Sequence, residues 1–284
     1  MHLRHTISLI WWIAIICSML YIWYTVSREE KDHSSGTTTS WTIQNSILFN
    51  NNDEVKSIHS ILCKKYKKLC SIIKYEWIYV WDNKETYWTI SMYFIKKLDT
   101  ILWDDITSRI LKKITISSQR NNRRAYATHN TMFFHIPWMS YREYMMVLTH
   151  ELWHIIDLSV VLWSDRKKSR LFTEFDKEEF SIDDPSLTYY KISWENEHQK
   201  KSTHTKEAFC SIYGMSNPFE DFAECFQLYM NHNQYFRTII SNNSILTEKY
   251  LFIDKLLDGK YFYNKLQSIE VKESHRHRDT TRMR

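Results

Sequence analysis

Three patterns of apolar and polar positions divide the chain. From Ile7 to Val26 no charged residue occurs, and about 20 helical residues at 1.5 Å each cross a hydrocarbon core about 30 Å thick. This stretch predicts a membrane-spanning helix, so residues 1–26 read as an anchor with a short tip. Ser27 to Ser40 contain no large apolar residue and are dominated by Ser, Thr and Gly, the composition of a flexible tether. From residue 41 to residue 271 the patterns alternate in type, which predicts one mixed domain. Helical spacing occurs from Asn52 to Tyr75, as one or two helices, and again from Thr89 to Leu102. Ile114 to Ser117 and Ala125 to Ile136 are strand-like around an Arg-rich turn, Arg120 to Arg124.

Two helix starts stand out beyond periodicity. Ser140 with Glu143 three residues on forms a capping box ahead of YREYMMVLTHELWHIIDLSV, predicting a helix from Tyr141 to about Val160. Asn217 followed by Pro218 supplies an N-cap and a proline at the first helical position, predicting a helix to about His232. Trp163 to Tyr213 is polar and poorly periodic, two further helices are expected within Gln234 to Lys265, and residues 272–284 read as a basic, disordered tail. The class is α+β: a mainly helical domain with a small sheet, preceded by one transmembrane helix.

Arg4 and the amino terminus precede the apolar stretch, and the mixed run Arg28 to Asp32 follows it. The positive-inside bias therefore favours a cytoplasmic N-terminus, with the domain on the extracytoplasmic side of a single-pass anchor. A cleaved signal peptide is the rival, but its apolar region usually spans only 7 to 15 residues. Hydrophobic residues at 43% and charged residues at 25% exclude wholesale disorder. The net charge of +5 is interspersed and partly confined to the tail, so no nucleic-acid partner is expected. Cys17 lies in the apolar segment. Cys63, Cys70, Cys210 and Cys225 fall in the domain, where four cysteines allow three connectivities. If Cys63 and Cys70 share one helix, they are about 10 Å apart and cannot bond to each other.

Glycine is scarce, 3 residues against 12 Trp, where average usage near 7% predicts about 20. Trp138 follows Pro137, and Trp81 and Trp163 stand beside turn formers, places where Gly is expected. Glycine encoded by UGA and read here as Trp accounts for this pattern. The nucleotide sequence distinguishes it from a genuinely Trp-rich chain.

The chemistry centres on His150-Glu151-Leu152-Trp153-His154, an HExxH motif. Two His four residues apart project from one helical face and share a zinc ion, with the intervening Glu beside it as a base. Glu143, Val147, His150, His154 and Asp157 form one stripe, and Met145, Leu148, Leu152, Ile155 and Ile156 cover the opposite face. The helix is therefore expected to be buried, where imidazoles need metal or hydrogen bonds. A catalytic site needs a third protein ligand and an open position. Glu220 and Glu224 share a stripe one turn apart beside Phe219, Phe222, Phe226 and Met230, and one can bind zinc while the other holds a ligand His.

HELWHIID followed by YGMSNPFEDFAECFQLY, Tyr213 to Tyr229, resembles zinc metallopeptidases of the gluzincin type, most closely the anthrax-lethal-factor-like catalytic domain and related bacterial metallopeptidases. The resemblance spans roughly Ala125 to Met230. It implies one zinc ion held by His150, His154 and Glu220, with Glu151 as base and Tyr213 assisting the transition state. Glu224 matches the carboxylate behind a ligand His, and Asp157 an acidic residue three after the second His, so both are expected behind the metal site. The family has Gly where Trp153 stands, and the long separation of His154 from Glu220 implies an insertion within Trp163 to Lys206.

The expected activity is hydrolysis of peptide or protein substrates by a membrane-anchored zinc metallopeptidase, with strand Ala125 to Ile136 pairing with extended peptide. His129 and His135 on that strand read as packing residues. A non-catalytic peptide- or protein-binding domain of zincin fold, and a zinc amidase acting on cell-wall peptides, are the alternatives. The sequence gives no oligomeric state.

Overall fold

The computed structural model describes residues 60, 63–76, 84–102, 110–137, 139–159, 168–174, 178–262 and 278–283, all within the compact unit Val55–Met283. The expected anchor at 7–26, the tether at 27–40 and the turn tryptophans Trp81, Trp138 and Trp163 lie outside the described residues. Among the described residues no helix is long and apolar enough to cross a membrane. The described domain is α+β, mainly helical around a small mixed sheet.

Helix α1 (Lys67–Ile72) leads directly into strand β1 (Ile73–Glu76). The long α2 (Lys84–Leu102) then crosses to β2 (Lys113–Ser117), which runs parallel to β1 with Ile73 opposite Ile114. Strands β3 (Ala125–Thr128) and β4 (Thr131–His135) form a hairpin, and the order across the sheet is β1-β2-β4-β3. Central β2 is buried at Ile114, Thr115, Ile116 and Ser117, as expected of a strand covered on both faces. In β4, Met132 and Phe134 are buried between half-exposed Thr131, Phe133 and His135, the period-two pattern of a one-sided face. Strand β3 stands at the sheet edge.

Two sequence expectations change here. Ile73 to Tyr75 continue no helix, because pairing with β2 overrides their helical spacing. Ala125 to Ile136 is two strands, since the turn at His129-Asn130 folds β3 back on β4 with Thr128 opposite Thr131. Cys63 and Cys70 are bonded to each other, with Cα atoms 5.1 Å apart. The helical path bends at Tyr66 (φ −119°, ψ 57°), so the separation expected of one continuous helix does not apply. Cys210 pairs with Cys225.

Helix α3 (Tyr141–Ser159) starts where its cap predicts: Ser140 Oγ accepts from Glu143 N at 3.1 Å. The Glu143 carboxylate does not close the box but accepts from Arg124 Nη1 at 2.6 Å. Residues Tyr144 to Leu158 of this helix are all buried, with α2 on one flank, where Ser91 and Tyr144 hydroxyls bond at 2.7 Å. The polar stretch after α3 holds the hairpin β5 (Lys168–Glu174) and β6 (Glu178–Ser181), helix α4 (Pro185–Ser193) and the small hairpin β7 (Trp194–Asn196) and β8 (Gln199–Lys200). Helix α4 had a readable start, since Asp184 caps Ser186 N at 2.9 Å ahead of Pro185.

Helix α5 (Pro218–Asn231) begins at Asn217, whose Oδ1 accepts from Glu220 N at 2.8 Å, and α6 (Asn233–Ile240) and α7 (Ser244–Leu256) complete the expected helices. Trp153 of α3 stacks on Phe226 of α5 at 4.0 Å and meets Phe222 edge-on, so the aromatic stripe read from the sequence is the face that joins the two helices. Lys249 of α7 reaches back to Asp221 of α5 at 2.6 Å with both side chains buried. The expectation of a disordered tail fails at residues 278–283. Thr280, Thr281 and Met283 are buried, because Asp279 caps a tight turn by accepting from Thr281 N at 2.8 Å and that turn docks on α5.

Candidate metal centre

Helix α3 supplies His150, Glu151 and His154, and α5 supplies Glu220 and Glu224. The aromatic packing of α3 on α5 holds the two polar stripes against each other. His150 Nε2 lies 3.0 Å from Glu220 Oε2 and 3.3 Å from His154 Nε2, and His154 Nε2 lies 3.5 Å from Glu220 Oε2. A tetrahedron of zinc ligands at about 2.0 to 2.1 Å has edges of about 3.3 to 3.4 Å. Two imidazoles and a carboxylate therefore already stand close to the three corners a zinc ion requires. Among the described residues these three form a group whose ligand atoms all lie within 4.8 Å of one another.

The outer side of His150 is held as the helical stripe predicts. Its Nδ1 lies 3.0 Å from Glu224 Oε1, an ion-pair distance without the alignment of a hydrogen bond. A carboxylate behind a ligand imidazole fixes the ring and raises its basicity. The other Glu224 oxygen accepts from Thr280 N at 2.7 Å.

Charge follows from this crowding. Burial lowers the His150 pKa, but the hydrogen bond to Glu220 and the charges of Glu220 and Glu224 outweigh it and raise the value to about 10. Burial raises Glu220, and the imidazoles of His154 and His150 more than offset it, holding the carboxyl well below the usual range. Imidazole and carboxylate thus each favour the charged form of the other. Glu151 is buried, which pushes its carboxyl up; His150 and His154 pull it down, Glu220 pushes it up, and a hydrogen bond from the Ala127 backbone N–H of β3 favours the charged form.

Tyr213 opens the tight turn Tyr213–Met215 just before α5. Its hydroxyl donates to Glu220 Oε1 at 2.9 Å, and its ring centroid is 6.1 Å from that of His150. Burial, followed by the Glu220 charge, raises the phenol pKa, so the group stays a proton donor. Gly214 allows this placement. A Cβ there would meet the Asp221 Cα at 3.3 Å, and the turn packs directly against the start of α5.

A cavity of about 780 Å³ opens over the triad, lined by β3 from Ala125 to Ala127 and by Thr173 and Glu197. Arg124, Asp279 and Thr281 also line it. Sequence reading had Arg124 only as part of a turn and missed the other four; the capping Asp279 was the sole local signal. Asp157, expected behind the metal site, is fully buried and accepts from Ser186 Oγ and Tyr190 Oη of α4. Its carboxylate thus docks α4 on α3. His135 is half-buried beside Tyr126 on the sheet face.

No protein-family model, curated protein or solved structure matches this chain.

Proposed function

We propose that the domain is a zinc-dependent metallopeptidase of gluzincin type. The observation that carries the reading is the convergence of His150, His154 and Glu220 at near-tetrahedral edge lengths with Glu151 beside them. Zinc, when bound there, polarises the scissile carbonyl and lowers the pKa of water.

The remaining work falls to the chain's own groups. Glu151 takes a proton from the attacking water and passes it to the leaving amine, a role suited to a carboxylate whose pKa is raised by burial. The Tyr213 hydroxyl, free to turn from Glu220, donates to the oxyanion of the tetrahedral intermediate. The edge strand β3 lies along the cavity wall, where an extended peptide adds as a further strand. Glu224 keeps the His150 ring oriented.

The same reading includes a single-pass anchor at residues 7–26 and an extracytoplasmic domain. Two disulfides within the domain support it, because such bonds persist in oxidising compartments. The test is metal analysis of the protein coupled to cleavage of a random peptide library. Glu151→Gln should keep one zinc and the fold while abolishing cleavage, since it removes the base and no ligand. A variant that cleaves peptides at the unaltered rate rejects the assignment.

A further inference from the structure

The segment Arg278–Met283 touches the candidate centre at three places, and none of these contacts is explained by the chemistry assigned so far. Thr280 N donates to Glu224 Oε2 at 2.7 Å, and the Thr280 hydroxyl lies 3.4 Å from the Glu224 carbonyl. Tyr213 N donates to the Arg278 carbonyl at 2.9 Å. Asp279 accepts from Arg124 Nη2, and Nη1 of the same guanidinium reaches Glu143 of α3. Arg124 is the residue immediately before β3, and its carbonyl accepts from His135 N at 2.7 Å.

Each contact falls on a different working part. Glu224 is buried, with one oxygen beside His150 Nδ1. A buried carboxylate without a second donor is free to rotate and carries a desolvation penalty. The Thr280 N–H removes both problems, so the rotamer that faces His150 is selected by a backbone group 56 positions away in the chain. The Arg278 carbonyl ties down the turn that carries Tyr213. The Asp279-Arg124-Glu143 bridge pins the start of the edge strand to α3.

The geometry points to Arg278–Met283 as a positioning strap for the metal centre, acting through the Thr280 N–H on Glu224 and thereby on His150, so that metal affinity and docking of the strap are coupled. This inference rests on the zinc reading above. Coupling of this kind is reciprocal: whatever the strap contributes to zinc affinity, zinc returns to strap stability.

Thr280→Pro in the full chain isolates the donor. Thr280 is the first residue of its turn, and Asp279 before it is extended (φ −158°, ψ 125°), the conformation a residue preceding proline prefers. The substitution therefore removes the N–H while keeping the local path. Thr280→Ala is its control, because it loses the hydroxyl and keeps the N–H. Zinc dissociation constants from chelator competition should rise about ten- to a hundredfold in Thr280→Pro, the usual effect of removing support behind a ligand, and stay within about twofold in Thr280→Ala.

A second measurement needs no variant. Hydrogen exchange at the Thr280 amide of the unaltered protein should slow when zinc is added. Equal zinc affinity in Thr280→Pro, or exchange at Thr280 indifferent to bound zinc, overturns the strap while leaving the metal reading standing. Failure of the unaltered chain to bind zinc overturns the metal reading and the strap with it.

Discussion

His150 stands between two carboxylates, Glu220 at one ring nitrogen and Glu224 at the other, and that position divides the labour of the site. Glu220 converges on one point with both imidazoles. Glu224, one turn further along α5, is turned away from that point and toward the back of the ring. The helical period alone places the two on one stripe, but which of them faces both imidazoles depends on how α5 lies against α3. Tyr213 is similarly local in its turn and non-local in its aim. Its hydroxyl reaches Glu220 seven residues on because Gly214 lets the turn close on the Asp221 backbone. Tyr213→Phe should lower turnover by about a hundredfold, the usual scale for loss of one oxyanion donor, with zinc content unchanged. Steady-state kinetics and metal analysis on the same preparation check this, and unchanged turnover would make the ring a packing group.

At the scale of elements, α5 is tied on three sides. Trp153 of α3 stacks on it, Cys210–Cys225 binds it to the segment that leads to Tyr213, and Lys249 of α7 grips Asp221. Lys249 Nζ donates to both Asp221 oxygens and to the Ala208 carbonyl, and Trp194 Nε1 donates to the same carboxylate at 3.1 Å. These donors offset the penalty of burying the pair. Lys249→Met removes one partner and leaves a buried carboxylate, so denaturant unfolding should show a loss of about 3 to 5 kcal/mol. Adding Asp221→Leu should recover most of that loss. A Lys249→Met domain as stable as the parent would mean that Asp221 is neutral in the fold. Trp153 is the least expected member of this set: its ring is fully buried, and its Nε1 has no hydrogen-bond partner among the described residues. The residue fills the interface between α3 and α5.

For the whole molecule, the reading joins a membrane segment to an outward-facing hydrolase. The intact protein should fractionate with membranes, and protease added outside cells or spheroplasts should release the domain by cutting within Ser27 to Ser40, the segment richest in small polar residues. Deleting residues 1–26 should leave a soluble, folded domain. A domain that resists external protease until lysis reverses the orientation and makes the substrates cytoplasmic.

What the sequence determined by itself is short in range. Ser140 and Asn217 set the starts of α3 and α5 through bonds to the N–H three residues on. The i, i+4 spacing of His150 and His154 put both on one helical face, and the aromatic stripe of α5 named the side that meets α3. These features depend on dihedral preferences and spacing within a few residues, which any window of the chain contains. Other features depended on partners far along the chain. Ile73 to Tyr75 became a strand through pairing with β2, Asp157 turned to α4, and Asp221 found Lys249. The segment 278–283, polar and basic in composition, became ordered because its turn meets Glu224, Tyr213 and Arg124. A hydrogen-bond donor such as the Thr280 N–H is carried by every residue but proline, so its identity holds no information about its acceptor. Only the packed structure decides which of those donors stands behind Glu224 and His150.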